Sequence, residues 1–116
     1  MRFEIDRQEV EKIVKEYYKE ERNCKVKDVK FVSTGIGGAI VVEVKADVVI
    51  LGTVREVEDM MTPSKLESLI VKKLSDDVHV LHMKMNLDAS DVNAPTLKSV
   101  TIDIEKIIKK DSVNKR

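Results

Sequence analysis

The chain has 116 residues, the size of one domain, and its 42% hydrophobic and 36% charged residues make it too apolar for a disordered chain and too charged for a membrane span. Lys and Arg number 21, as do Asp and Glu, so the formal net charge is zero and no global attraction draws the chain to nucleic acid or to an anionic membrane. The longest uncharged apolar-rich run, residues 48–54, falls far short of the roughly 20 residues that a spanning helix needs, and residues 1–10 hold no signal-peptide-like apolar stretch, so the reading is a cytoplasmic protein.

The first predicted element is a helix beginning at Asp6. Its side chain can cap the first turn, Glu9 stands at capping-box spacing, and Ile5 can staple to Val10. Val10, Ile13, Val14, Tyr17 and Tyr18 recur at helical spacing against Glu11, Lys12, Lys15, Glu16 and Lys19, with the end near Arg22 and Asn23. Residues 25–34 alternate imperfectly as a strand, with Val29 and Phe31 on one side and Val26 and Val32 on the other. Gly35, Gly37 and Gly38 then turn the chain into a cleaner strand. In it Ile40, Val42, Val44, Ala46, Val48 and Ile50 form the core side, while Val41, Glu43, Lys45, Asp47, Val49 and Leu51 face outward.

Gly52 ends or kinks that strand, and residues 53–61 fit either a further strand or a capped helix. Thr62 followed by Pro63 starts a second helix carrying Leu66, Leu69, Ile70 and Leu74, broken by Asp76 and Asp77. Residues 78–87 return to period two, with Leu81, Met83, Met85 and Leu87 on one face and Val78, Val80, His82, Lys84 and Asn86 on the other. A polar loop over residues 88–96 precedes a last strand through Val100, Ile102 and Ile104 and a short terminal helix through Ile104, Ile107 and Ile108, the pattern leaving open whether residues 97–110 are mainly strand or helix. The expected fold is α+β: two to three helices packed on one face of a three- or four-stranded, mostly antiparallel sheet. Residues 1–110 form its single domain and 111–116 a frayed tail.

No motif points to a chemistry. The glycines at 35, 37 and 38 lack the third glycine and the following helix of a dinucleotide loop, and no Gly-Lys-Ser or Gly-Lys-Thr follows them. Their G-x-x-G spacing precedes a strand, not the helix of a KH loop, and positive φ at a hairpin turn accounts for them. His79 and His82, three apart on a strand, point to opposite faces unless a bulge intervenes, with His79 beside Leu81 and Met83. Cys24 follows a helix C-terminus, where the dipole disfavours a thiolate, and reads as structural or incidental rather than catalytic. Asp88, Ser90, Asp91 and Asn93 resemble a calcium loop in composition, but Val92 and Asn93 occupy its fifth and sixth positions, so Asx turns explain them.

No catalytic residue, cofactor site or metal site is therefore assigned, and the protein reads as an interaction or regulatory domain more than an enzyme. Apolar residues at the outer ends of the long strand, Val41, Val49 and Leu51, form the candidate interface of a homodimer, with other protein partners also in view. The alternative is nucleic-acid binding through the basic C-terminal segment, with Lys106, Lys109, Lys110, Lys115 and Arg116 meeting phosphates. A small-ligand or enzymatic role for the loop at 88–96 has the least support.

Overall fold

The computed structural model describes residues 1–33, 39–74, 78–90 and 95–106. Among them the chain runs β1 (Arg2–Asp6), α1 (Arg7–Glu21), β2 (Lys25–Ser33), β3 (Ile40–Ile50), β4 (Thr53–Met61), α2 (Pro63–Lys72), β5 (Val78–Asp88) and β6 (Thr96–Lys106). Both helices start where their caps direct. Asp6 Oδ1 accepts the Glu9 amide at 2.9 Å, and Thr62 Oγ1 accepts the Lys65 amide at 3.2 Å with Pro63 in the first turn. α1 ends because Asn23 adopts the left-handed region, φ 54°, and doubles the chain back so that the Cys24 amide donates to the Tyr18 carbonyl at 3.0 Å.

The strands form two three-stranded antiparallel sheets, ordered β1-β6-β5 and β2-β3-β4. This overturns the expectation of two to three helices on one face of a single three- or four-stranded sheet: six of the eight described elements are strands, and neither helix lies squarely on one sheet. Two elements account for the difference. Residues 2–6 read as a helix lead-in, yet they pair in full with β6, from Arg2 opposite Asp103 to Asp6 opposite Ser99. Residues 53–61 are strand, because a two-residue turn at Leu51 and Gly52, both with positive φ, sends the chain straight back along β3.

α1 sits where the sheets meet, touching β1, β2, β6 and α2, while α2 packs on α1 and β3. Val10, Val14 and Tyr18 of α1 and Leu66, Leu69 and Ile70 of α2 join Phe31, Ile40, Val42, Val44, Ala46, Leu97, Val100, Ile102 and Ile104 in one continuous buried cluster. Between the sheets, Thr96 Oγ1 donates to the Phe31 carbonyl at 3.0 Å, a bridge from β6 to the outer edge of β2. The smallest principal extent, 20 Å, fits two layers at the roughly 10 Å spacing of packed elements.

Three bulges reset the side-chain phase. Register shifts fall between Val26 and Asp28, between Val80 and His82, and between Asn86 and Leu87, where Ser99 and Leu97 of β6 are the successive partners. Val26 therefore shares the core side with Val29 and Phe31, and Val78 and Val80 share it with Met83, Met85 and Leu87. Strict alternation had separated each of these sets. Leu81, expected with Met83, is instead 59% exposed, and His79, expected beside them, is exposed opposite Glu105.

At the far end of β3 the expected core side also fails. Val48 is half-buried and Ile50 exposed, because the hairpin runs past the helices there. Ile104 lies in β6 with Val100 and Ile102, on the strand side of the junction that periodicity leaves open; Ile107, Ile108 and the expected frayed tail lie outside the described residues. The glycine turn at 35–38 and the helix break at Asp76 and Asp77 lie outside them too.

Candidate interaction surface

A partner is indicated where a surface is left unsatisfied, and most of this surface is not. On the outer side of β1-β6-β5, Asn86 donates to Thr101 at 2.7 Å and to Ser99 at 3.0 Å, and Ser99 donates to Glu4 at 2.5 Å. Arg2 meets Asp103 at 2.8 Å, which holds the Asp103 carboxyl below its ordinary value through the hydrogen bond the guanidinium donates. The bulge at Leu81 brings His79 and His82 onto this same side, opposite Glu105 and Asp103. Their expected separation onto opposite faces is thus corrected, yet among the described residues no three His, Cys, Asp or Glu side chains converge to hold a metal ion.

The outer side of β2-β3-β4 is likewise satisfied in its middle. The register sets Lys25 against Asp47, Lys30 against Glu43, and Lys45 between Asp28 and Glu58. Lys27, lifted by its bulge, reaches Glu56 at 2.7 Å and Asp47 at 4.0 Å. Its hydrogen bond to Glu56 raises the ammonium and lowers the carboxyl from their ordinary values. Such a checkerboard of opposite charges is a stable solvated face. It explains the polar centre of the strand without a covering element.

The hairpin tip differs. β2 begins at Lys25 opposite Asp47, so the last three rungs of the hairpin, Val48–Arg55, Val49–Val54 and Ile50–Thr53, have no third strand beside β3. They project as a two-stranded arm. Val49 is 67%, Ile50 43%, Leu51 99% and Val54 63% exposed, and Arg55 is the arm's one charge. At its base a cleft of about 760 Å³ is lined by Lys15, Lys19, Lys25, Cys24, Val26 and the arm's own Val49 and Val54. Asn23 and Asp47 complete its lining, Asp47 standing opposite Lys25. The Cys24 thiol there donates to the Arg22 carbonyl at 3.3 Å.

Of the residues singled out from sequence, Val49 and Leu51 lie on this arm. Val41 does not: it is half-buried opposite Val32, eight residues back along β3 and so about 27 Å from Val49. Ile50 and Val54 were missed, although the uncharged run at 48–54 with Gly52 near its centre carries the signal of an apolar hairpin. Lys106 is the last residue of β6, and Lys109, Lys110, Lys115 and Arg116 lie outside the described residues. In the loop at 88–96, Asp88 accepts the amide and hydroxyl of Ser90 at 3.0 and 2.7 Å, the Asx turn expected there, and these bonds lower its carboxyl from the ordinary value.

No described helix is long and apolar enough to cross a membrane. Comparison with protein-family models, with curated proteins and with solved structures finds nothing that matches this chain.

Proposed function

We propose that this chain is a cytoplasmic, non-catalytic interaction domain that works as a homodimer, with the β3–β4 arm in the contact. The observation that carries this reading is the arm itself: four apolar side chains on a projecting ribbon with one charge. Fully burying a side chain of this size contributes about 1.5 to 3 kcal/mol, so leaving four in water is a cost that association removes. The middle of each sheet's outer side is laced instead with cross-strand ion pairs and hydrogen bonds. A free Cys24 accords with a reducing compartment.

The test is light scattering behind size-exclusion chromatography at micromolar concentration and two salt strengths, with the 260/280 nm absorbance ratio recorded. The expected result is a dimer mass that persists at high salt, because apolar burial is not screened. Leu51→Asp should shift it to monomer. A wild-type monomer overturns the reading. A monomer that carries nucleic acid removable by salt would transfer the function to the basic C-terminal segment.

A further inference from the structure

The backbone of β4 indicates how a second copy would be held. In a two-residue hairpin the residues flanking the turn exchange both hydrogen bonds, and the exchange then recurs at every second rung. Starting from Ile50 and Thr53, with no register shift in the hairpin, β4 uses the amides and carbonyls of its odd-numbered residues on β3. Those of Val54, Glu56, Glu58 and Met60 point the other way. The same alternation turns the Phe31 carbonyl away from β3 toward Thr96, as observed. On that side β2 meets β6; on the other side β4 is the sheet edge, and no strand pairs with Val54, Glu56, Glu58 or Met60 there among the described residues.

An edge with four outward residues has one two-fold antiparallel register that uses all of them: Val54 opposite Met60 of the second copy, Glu56 opposite its Glu58, and the reciprocal pairs. Val57 then lies on the axis, opposite Val57 of the second copy. Side-chain chemistry follows this register. Val54 and Met60, the two apolar side chains of β4 that water reaches most, 63% and 62% exposed, cover each other twice. On the opposite side Arg55 meets Asp59 of the second copy, also twice. Glu56 against Glu58 is the one unfavourable kind of pair and it too occurs twice, but each carboxylate already faces a lysine of its own chain: Lys27 at 2.7 Å from Glu56, and Lys45 across the rung from Glu58. Thr53 falls opposite Met61, so the Leu51 turn of each copy comes level with Thr62 and Pro63, where α2 of the other begins.

We infer that two copies join β4 to β4 in antiparallel register centred on Val57, making one six-stranded sheet and seating each apolar arm at the start of the partner's second helix. This rests on the homodimer reading above, and the two can fail separately. In a Cys24→Ser background, where a serine hydroxyl can keep the bond to the Arg22 carbonyl, Val57→Cys should form a disulfide-linked dimer as the main product under mild copper(II) oxidation. The axial pair is of the non-hydrogen-bonded kind, with Cα atoms about 4.5 Å apart. Val54→Cys and Met60→Cys, each alone, should stay monomeric on denaturing gels, and a mixture of the two should give the cross-linked heterodimer.

Glu58→Pro gives an independent reading, because the amide it removes is an outward one. The expected result is a folded monomer, with far-UV circular dichroism unchanged. A wild-type dimer by light scattering that does not cross-link at position 57, or that survives Glu58→Pro, overturns this register and leaves the homodimer standing. A wild-type monomer overturns both.

Discussion

Leu51 holds a backbone position that L-residues with large side chains avoid. At φ 52° a residue other than glycine, asparagine or aspartate is strained by on the order of 1–2 kcal/mol, and Leu51, 99% exposed, gains no contact within the chain to offset it. Strain kept on a fully exposed apolar side chain fits a role outside the monomer. Leu51→Asn should therefore stabilise the isolated chain by about 1 kcal/mol in urea unfolding at dilutions where it is monomeric, while weakening self-association. A destabilised Asn variant would mean that the leucine packs internally after all.

Tyr18 makes a second argument at this scale. Its hydroxyl donates to Asp59 at 2.6 Å from a buried ring, and burial first, then that bond, raises its ionisation above the ordinary value near 10. A folded-state value above the unfolded one means stability that is full below pH ~10 and is lost as pH climbs from there through the folded value. Between pH 9 and 11 the wild type should lose stability faster than Tyr18→Phe. At pH 7 the variant should be weaker by about 1 kcal/mol, since Asp59 stays partly solvated. Parallel pH profiles for the two proteins would show that the fold does not hold the Tyr18 hydroxyl protonated.

Among elements, the strands show what periodicity can and cannot deliver. Both helices were legible because cap and stripe agree: Asp6 and Thr62 supply the caps, and Val10, Val14 and Tyr18 the stripe. The long strand was legible as far as Ala46, where one parity is fully apolar. The split into two sheets was not, because β1 is only five residues long and its helix-cap signal at Asp6 masks it. Nor were the bulges, although each leaves a trace: Val26 and Val29, Val80 and Met83, and Leu97 and Val100 are apolar pairs three apart inside otherwise alternating runs. Val49 and Leu51 could be read from parity. The arm they belong to depends on where β2 starts, which no local pattern states.

The bulge at Leu81 can be tested as an element. Leu81→Lys should change stability by no more than about 0.5 kcal/mol, because the side chain is mostly in water. Deleting Leu81 keeps composition nearly constant but turns Val78 and Val80 outward and His79 inward. The loss should be about 1.5–3 kcal/mol, near half of full burial for each of two half-buried valines. Thermal unfolding of both variants decides it; a deletion as mild as the substitution would mean that the strand's first three residues carry no core.

For the whole molecule the question is whether two sheets make two folding units or one. The buried cluster argues for one. Leu66 and Ile70 of α2, Val10 and Val14 of α1, Val42 of one sheet and Ile102 of the other belong to the same contact network, and α1 touches strands of both sheets. Neither sheet can keep its apolar side dry without that helix, so opening one exposes the other. Urea unfolding followed by far-UV circular dichroism and by tyrosine fluorescence should give coincident transitions at any fixed protein concentration. Leu66→Ala, which removes a fully buried side chain from β3's half of the core, should cost about 2–5 kcal/mol. By native-state hydrogen exchange that loss should appear equally in amides of β3 and β6, although Leu66 sits on the helix that contacts β3. Amides of the arm, with no strand beside β3, should exchange faster than either and be little affected. A loss confined to β2-β3-β4, with β1-β6-β5 still protected, would show the sheets folding apart and α1 serving as a linker rather than a shared core.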